Sequence, residues 1–221
     1  AEGPDRAMPI SACSGLCWLT AASPDDLKQW AEAGILKRIY DKNGSYTSSF
    51  MASRLWVADY AAKNEIGKVL DFNELAESSG DKTGKGIKRL GVLRADVDGL
   101  GAAFIAGFIH KENKNPEAYA TLSRYAALSR SMALFFRKII KGICKKELPE
   151  GIKPFYLFED KDGEPRKIHV VYSGGDDLFL VGAWDDLMGF AVDLKRAFSV
   201  YTNGKLTFSA GLGLYSSTYL I

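Results

Sequence analysis

The sequence predicts an α+β fold, a ferredoxin-like sheet with its helices on one face and a small α/β appendage at the N-terminus. Three observations lead there. A mostly apolar run of strand length, Leu90-Gly-Val-Leu-Arg-Ala95, ends at Asp96. Two further apolar β-type runs, Ile168–Ser173 and Leu178–Val181, flank Gly174-Gly175-Asp176-Asp177, the pattern of a tight hairpin. Elsewhere apolar residues recur at helical spacing, so the hairpin and the outer strands are joined through helices, as in a split-βαβ arrangement.

In chain order, residues 1–86 form the appendage and lead-in. Asp25 to Tyr40 reads as a short helix capped by Ser23 with Pro24 at its first position, followed by an Asn43-Gly44 turn between Tyr40 and Tyr46. The polar stretch Ser78 to Gly86 marks a boundary, and the main domain is 87–221. After its first strand, Leu100–Ile109 reads as a helix starting just past Gly99. Tyr119, Leu122, Tyr125, Leu128, Met132, Phe135, Ile139 and Ile143 then trace one long amphipathic helix. Gly142, Pro149, Gly151 and Pro154 break it, and a loop runs through Lys161, Asp162 and Gly163. Beyond the hairpin, Asp185 or Asp186 opens a helix whose Leu187, Phe190, Leu194, Phe198 and Tyr201 share a face. Asn203-Gly204 turns into a last strand, Leu206–Leu214.

Composition narrows the function classes little. With 221 residues, 47% apolar, 25% charged and a net charge of +2, the chain is an ordinary globular protein; its charge balance argues neither for a nucleic-acid binder nor for an acidic tail. No apolar run approaches the ~18–20 residues a membrane span needs, and the first residues lack the apolar stretch of a signal peptide, so a cytoplasmic address is expected. Cys13, Cys17 and Cys144 fit no disulfide framework. Zinc at Cys13 and Cys17 would need two more ligands, and reduced thiols are the expectation. His110 reads as a helix-end residue and His169 as a strand residue, neither at catalytic spacing. Arg137, Lys138, Lys141, Lys145 and Lys146 cluster toward the end of the long helix, where cations suit contact with RNA or a neighbouring subunit and, as the favoured reading, complement the helix dipole.

Chemistry concentrates elsewhere. Asp96 and Asp98 close the first strand, and Asp176 and Asp177 form the hairpin tip, two places that a ferredoxin-like sheet makes neighbours. Carboxylates within about 4 to 6 Å raise one another's pKa unless cations neutralise them. A hard-oxygen cluster without His or Cys selects Mg²⁺ or Mn²⁺, which leave positions open for phosphate oxygens and serve in-line displacement by a ribose hydroxyl. Gly174 and Gly175 allow a tight turn and close approach of a nucleotide, while Gly99 and Gly101 expose backbone N–H groups where a triphosphate docks.

Leu90-Gly-Val-Leu-Arg-Ala-Asp-Val-Asp-Gly-Leu-Gly101 and Tyr172-Ser-Gly-Gly-Asp-Asp-Leu-Phe179 resemble the two signature segments of the large (Cas10-family, Csm-type) subunit of type III CRISPR effector complexes. Gly-Ala-Trp184-Asp-Asp after the hairpin points to the type III-A branch, and the likeness covers Leu90 to Ile221. Leu55 to Tyr60 and Phe72 to Ala76 resemble the lead-in to that family's second palm. The resemblance implies a palm of the nucleotide cyclase and polymerase type that makes cyclic oligoadenylates from ATP when the complex holds target RNA. Its partners would be the other effector subunits, CRISPR RNA and target RNA. By the same resemblance Asp96, the Val97 carbonyl and Asp177 hold metal, supported by Asp176 and less centrally by Asp98. Asp176 and Asp177 are catalytic, and the loop from Gly99 through Leu100 and Gly101 to Phe104 cradles phosphate. Ser173, Gly174 and Gly175 lie against nucleotide.

Departures from that pattern qualify it. Gly99 stands where the family often has Asn, and the sequence ends before the helix in which the family places a phosphate-facing lysine, so a C-terminally truncated palm is expected. A histidine-rich nuclease site and the first palm are not recognised. Two other functions compete: an ATP-binding scaffold without turnover, and a diguanylate-type cyclase, for which Leu178 and Leu100-Gly101 stand where other residues are preferred.

Overall fold

The computed structural model describes residues 7–10, 17–41, 52–55, 57–110, 112 and 114–216, and the chain divides into two units, Ala1–Leu55 and Trp56–Ile221. In the first unit, β1 (Met8–Pro9) pairs antiparallel with β2 (Trp18–Leu19), α1 spans Pro24–Glu32, and β3 (Ile39–Asp41) runs parallel to β4 (Ala52–Arg54). Ser23 and Asp26 form a reciprocal capping box with Pro24 in the first turn, as the sequence predicts. The helix ends well short of Tyr40. Gly34, at φ +70°, follows its last turn, the Gly34 N–H donates to the Ala31 carbonyl and the Ile35 N–H to that of Trp30, a Schellman ending. The Asn43-Gly44 turn and Cys13 lie outside the described residues; Cys17 and Cys144 are free thiols.

The second unit contains α2 (Phe72–Glu77), β5 (Leu90–Val97), α3 (Leu100–Ala106), α4 (Leu122–Leu134), a π-helical segment (Phe135–Ile139), α5 (Ile140–Cys144), β6 (Ile168–Ser173), β7 (Asp177–Ala183), α6 (Trp184–Tyr201) and β8 (Phe208–Tyr215). Its sheet has the order β6-β7-β5-β8, antiparallel throughout. Strand alternation sorts the side chains. Leu93, Ala95, Val97, Leu178 and Leu180 face Phe135, Phe136, Ile140, Ile143, Leu187, Phe190, Leu194 and Phe198, and all are buried. Among the described residues the opposite face is covered at one end only, where Leu75 and Ala76 of α2 and Ala62 pack on Leu90 and Val181.

That packing explains why the units divide near residue 55 and not in the polar stretch 78–86. Tyr60 donates its hydroxyl to the Arg166 carbonyl at 2.7 Å, and Ala62 N–H reaches the Ile168 carbonyl at 3.0 Å, so the lead-in lines the β6 edge. The polar stretch is a loop within this unit. The long helix begins at Leu122 and changes to i→i+5 bonding at Phe135, where Ile140 N–H donates to the Phe135 carbonyl. The wider turn lets consecutive Phe135 and Phe136 both enter the core, at 0% and 3% exposure.

Behind the sheet, Arg166 is buried with Asp193, and Lys161 pairs with Asp185 at 2.5 Å. These pairs tie the loop before β6 to α6. Lys141 pairs with Asp59 at 2.6 Å, and Lys146 stacks over Tyr156, so part of the basic cluster is engaged within the chain. Among the described residues no helix is long and apolar enough to cross a membrane.

Candidate functional site

The β5–β7 register makes Asp96 and Asp177 direct cross-strand partners. Val97 N–H donates to the Asp176 carbonyl at 3.0 Å, so the backbone bonds flank the pair. In this non-hydrogen-bonded position opposed Cα atoms are about 4.5 Å apart and their side chains leave the same face close together. That face is the one α2 leaves open at this end: Asp96 is exposed and Asp177 half-buried. Gly174 N–H closes the tip on the Asp177 carbonyl at 3.0 Å, and Asp176 stands exposed there. Two carboxylates and a third neighbour in sequence therefore meet where β5 and the hairpin end.

Other predicted residues go elsewhere. Val97 buries its side chain in the helical face, leaving its main chain for any ligand role. Asp98 turns to β8, accepting from Thr207 Oγ1 at 2.8 Å and Ser209 Oγ at 2.7 Å, and these bonds hold its carboxyl below the usual range. Gly99 adopts φ +65°, a left-handed conformation that favours glycine, and leads into α3. Leu100 packs against the core, Phe104 is half-buried, and Gly101 and Gly175 have nothing within 4 Å of where a Cβ would lie. Packing inside this chain thus does not demand glycine at 101 or 175.

A β-bulge decides the rest. The β6–β7 register shifts between Val170 and Tyr172, after which Tyr172 opposes Phe179 and Ser173 opposes Leu178. The extra residue reverses the alternation. Ser173 consequently turns to the helical face and donates to the Phe136 carbonyl of the π-helical segment at 2.5 Å, so the structure does not bring its hydroxyl to the carboxylates. Tyr172 takes the open face instead. Its phenol lies beside the Asp177 carboxylate, whose negative charge pushes the phenol above its usual range. A Cβ on Gly174 would lie 2.1 Å from Tyr172 Oη and 3.0 Å from Asp177 Oδ1, so this close approach requires glycine. Sequence reading overlooks Tyr172 because no glycine, asparagine or proline marks the bulge.

Among the described residues no group of three or more His, Cys, Asp or Glu side chains converges as a metal site. The predicted set contracts to the Asp96–Asp177 pair, with Asp98 drawn away by its hydroxyl partners. Such a pair suits Mg²⁺, which is commonly held by one or two carboxylates together with substrate phosphates and water. His169 is occupied by main-chain groups: Ala62 N–H donates to Nδ1 at 3.2 Å, and Nε2 lies 2.8 Å from the Leu70 carbonyl. His110 packs edge-on against Tyr119. A cleft of about 320 Å³ lies away from the carboxylates, lined by residues including Lys82, Lys146, Lys161, Glu164, Lys167 and Asp186. Lys82 pairs with Glu164 at 2.8 Å there, and the cleft contains none of the hairpin aspartates.

Residues 89–221 match the family model of Cas10/Cmr2, second palm domain. The single-strand-specific deoxyribonuclease Cas10/Csm1 (subtype III-A) of the Mycobacterium tuberculosis CRISPR system is 37% identical over 220 residues, covering 100% of this chain and 24% of that protein. Its Streptococcus thermophilus counterpart is 38% identical over 179 residues, 81% of this chain and 20% of that protein. Among solved structures, a Csm1–Csm4 cassette in complex with one ATP superposes with a TM-score of 0.65 at 37% identity, covering 84% of this chain and 24% of that one. A Csm1–Csm4 cassette in complex with cA4 gives a TM-score of 0.65 at 36% identity, with 83% and 24% coverage. The chain spans about a quarter of the length of the relatives it matches. The chain belongs to the Cas10 family, as the palm of a subtype III-A Cas10/Csm1 large subunit.

Proposed function

We propose that this chain is a ferredoxin-like palm that joins ATP into cyclic oligoadenylates when its effector complex holds target RNA. The observation that carries the reading is the cross-strand pair Asp96–Asp177 on the open face, with Asp176 at the tip beside it. Strand order β6-β7-β5-β8 with helices on one face supports the palm, of the nucleotide cyclase and polymerase type. Solved relatives bound to ATP and to cA4 support the substrate and product class. The larger protein would work in the cytoplasm with the other effector subunits, CRISPR RNA and target RNA.

Asp96 and Asp177 would hold Mg²⁺ or Mn²⁺, with the Val97 carbonyl and Asp176 supporting them. The metal would supply charge neutralisation of the triphosphate and activation of the ribose hydroxyl. Within the chain, Asp98 fixes the 98–101 loop to β8, and that loop through Phe104 would receive phosphate groups. Gly174 and Gly175 leave room for the nucleotide against the hairpin backbone. The bond formed joins a 3′-hydroxyl oxygen of one nucleotide to the α-phosphorus of another, and pyrophosphate leaves.

The test follows radiolabelled ATP with Mg²⁺ or Mn²⁺ in the assembled complex, with and without target RNA. Oligoadenylates that need RNA and vanish in Asp176→Ala/Asp177→Ala are expected. ATP binding without product in the unaltered complex would instead establish a scaffold palm.

A further inference from the structure

The geometry points to Tyr172 as a positioning residue whose phenol orients the Asp177 carboxylate on the open face toward a divalent cation. This inference rests on the metal-assisted reading above. Three independent features of the hairpin converge on that one contact. The bulge between Val170 and Tyr172 reverses the alternation of β6, and without it the phenol would point into the helical layer. Gly174 gives up its side chain where the phenol passes, 2.1 Å from the place a Cβ would occupy. The phenol oxygen and Asp177 Oδ1 both crowd the point where a Gly174 Cβ would lie, at 2.1 Å and 3.0 Å, so phenol and carboxylate face each other there although Tyr172 is 52% exposed and has water available as an alternative partner.

A bare carboxylate on an exposed strand end rotates freely about its last torsion. A donor on one oxygen removes that freedom and leaves the other oxygen for a ligand. Partners that hydrogen-bond a metal-ligating carboxylate typically change metal affinity or activity by about 10- to 100-fold when removed. Ring packing alone would act differently. A phenylalanine keeps the ring over Gly174 and loses only the hydroxyl.

Mn²⁺ binding to the full-length subunit, read by electron paramagnetic resonance in the presence of a non-hydrolysable ATP analogue, tests this directly. Tyr172→Phe is expected to weaken Mn²⁺ binding by about 10- to 100-fold and to raise the Mn²⁺ concentration for half-maximal oligoadenylate output by the same factor. Gly174→Ala, whose methyl expels the phenol, is expected to weaken Mn²⁺ similarly, and the double variant to be no weaker than the weaker single one. Circular dichroism separates loss of fold from loss of binding. Mn²⁺ affinity of Tyr172→Phe within twofold of the unaltered protein overturns the role of Tyr172 while leaving the proposed function standing. An unaltered protein that binds no Mn²⁺ overturns both; one that binds Mn²⁺ but makes no product overturns only the synthetase reading, and the binding comparison still decides Tyr172.

Discussion

Replacing Asp177 with Asn should make the hairpin more stable without metal and less stable with it. The cross-strand register sets the size of the effect. Two carboxylates leaving opposed positions on one face, roughly 6 Å apart in a water-like surrounding, repel by about 0.7 kcal/mol. Asn keeps the shape and an acceptor for Tyr172 and removes the repulsion. An opening free energy raised by that amount slows hydrogen exchange about threefold. With Mg²⁺ and a non-hydrolysable ATP analogue at about ten times their dissociation constant, the unaltered protein gains about 1.4 kcal/mol that the variant lacks, and the order reverses. Hydrogen-exchange mass spectrometry of the 172–180 peptide in the full-length subunit, with EDTA or with Mg²⁺ and the analogue, reads both limbs. Equal exchange of the two proteins in EDTA, or equal protection of both by Mg²⁺ and analogue, would refute the electrostatic reasoning.

Two further predictions concern the layer behind the sheet. Asp193→Asn leaves the buried Arg166 guanidinium without its closest counter-charge and should destabilise by about 3 kcal/mol, whereas Arg166→Met/Asp193→Leu should recover most of that loss in urea unfolding; an unaffected single variant would sink the idea. Burial pulls the Lys146 amine down to about 8 from 10.5. The unfolded chain therefore binds more protons between those values, so Lys146 contributes increasing stability as pH rises through that window. Relative to Lys146→Met, the unaltered protein should gain stability from about pH 8 to about pH 10.5 in pH-dependent unfolding, and a flat difference would contradict the burial argument.

Much of the second unit is legible in sequence because its signals are local and redundant. Leu187, Phe190, Leu194 and Phe198 repeat at helical spacing and lie in the core, and Gly174 to Asp177 turn between two β-type runs as expected. Capping by Ser23 is likewise local. Features that depend on partners distant in sequence are not legible. Leu75 and Ala76 look like part of a separate lead-in until Leu90 and Val181 are seen beneath them. Asp98 stands with Asp96 at the end of the first strand, and the resemblance makes it only the less central ligand; Thr207 and Ser209, more than a hundred residues away, reveal that its oxygens are engaged. The end of α1 was within reach, since Gly34 is a recognisable stop, but Ile35 to Tyr40 continues an apolar pattern that suggests a longer helix.

The irregularity at Val171 gives the hairpin an unusual sensitivity to pairing register. Substituting Val171 changes one side chain, and deleting it would leave Tyr172 opposite Phe179 and Ser173 opposite Leu178 in an unbroken ladder, whereas a slip that pairs Val171 itself with Phe179 would exchange the faces of the two residues that follow. Tyr172 would leave the carboxylate for the interior, Ser173 would come out in its place, and the link to the Phe136 carbonyl would be cut. A strand slipped into that register would thus be a poorer site, and the bond from Ser173 to the Phe136 carbonyl is one of the contacts that hold the bulged register in place.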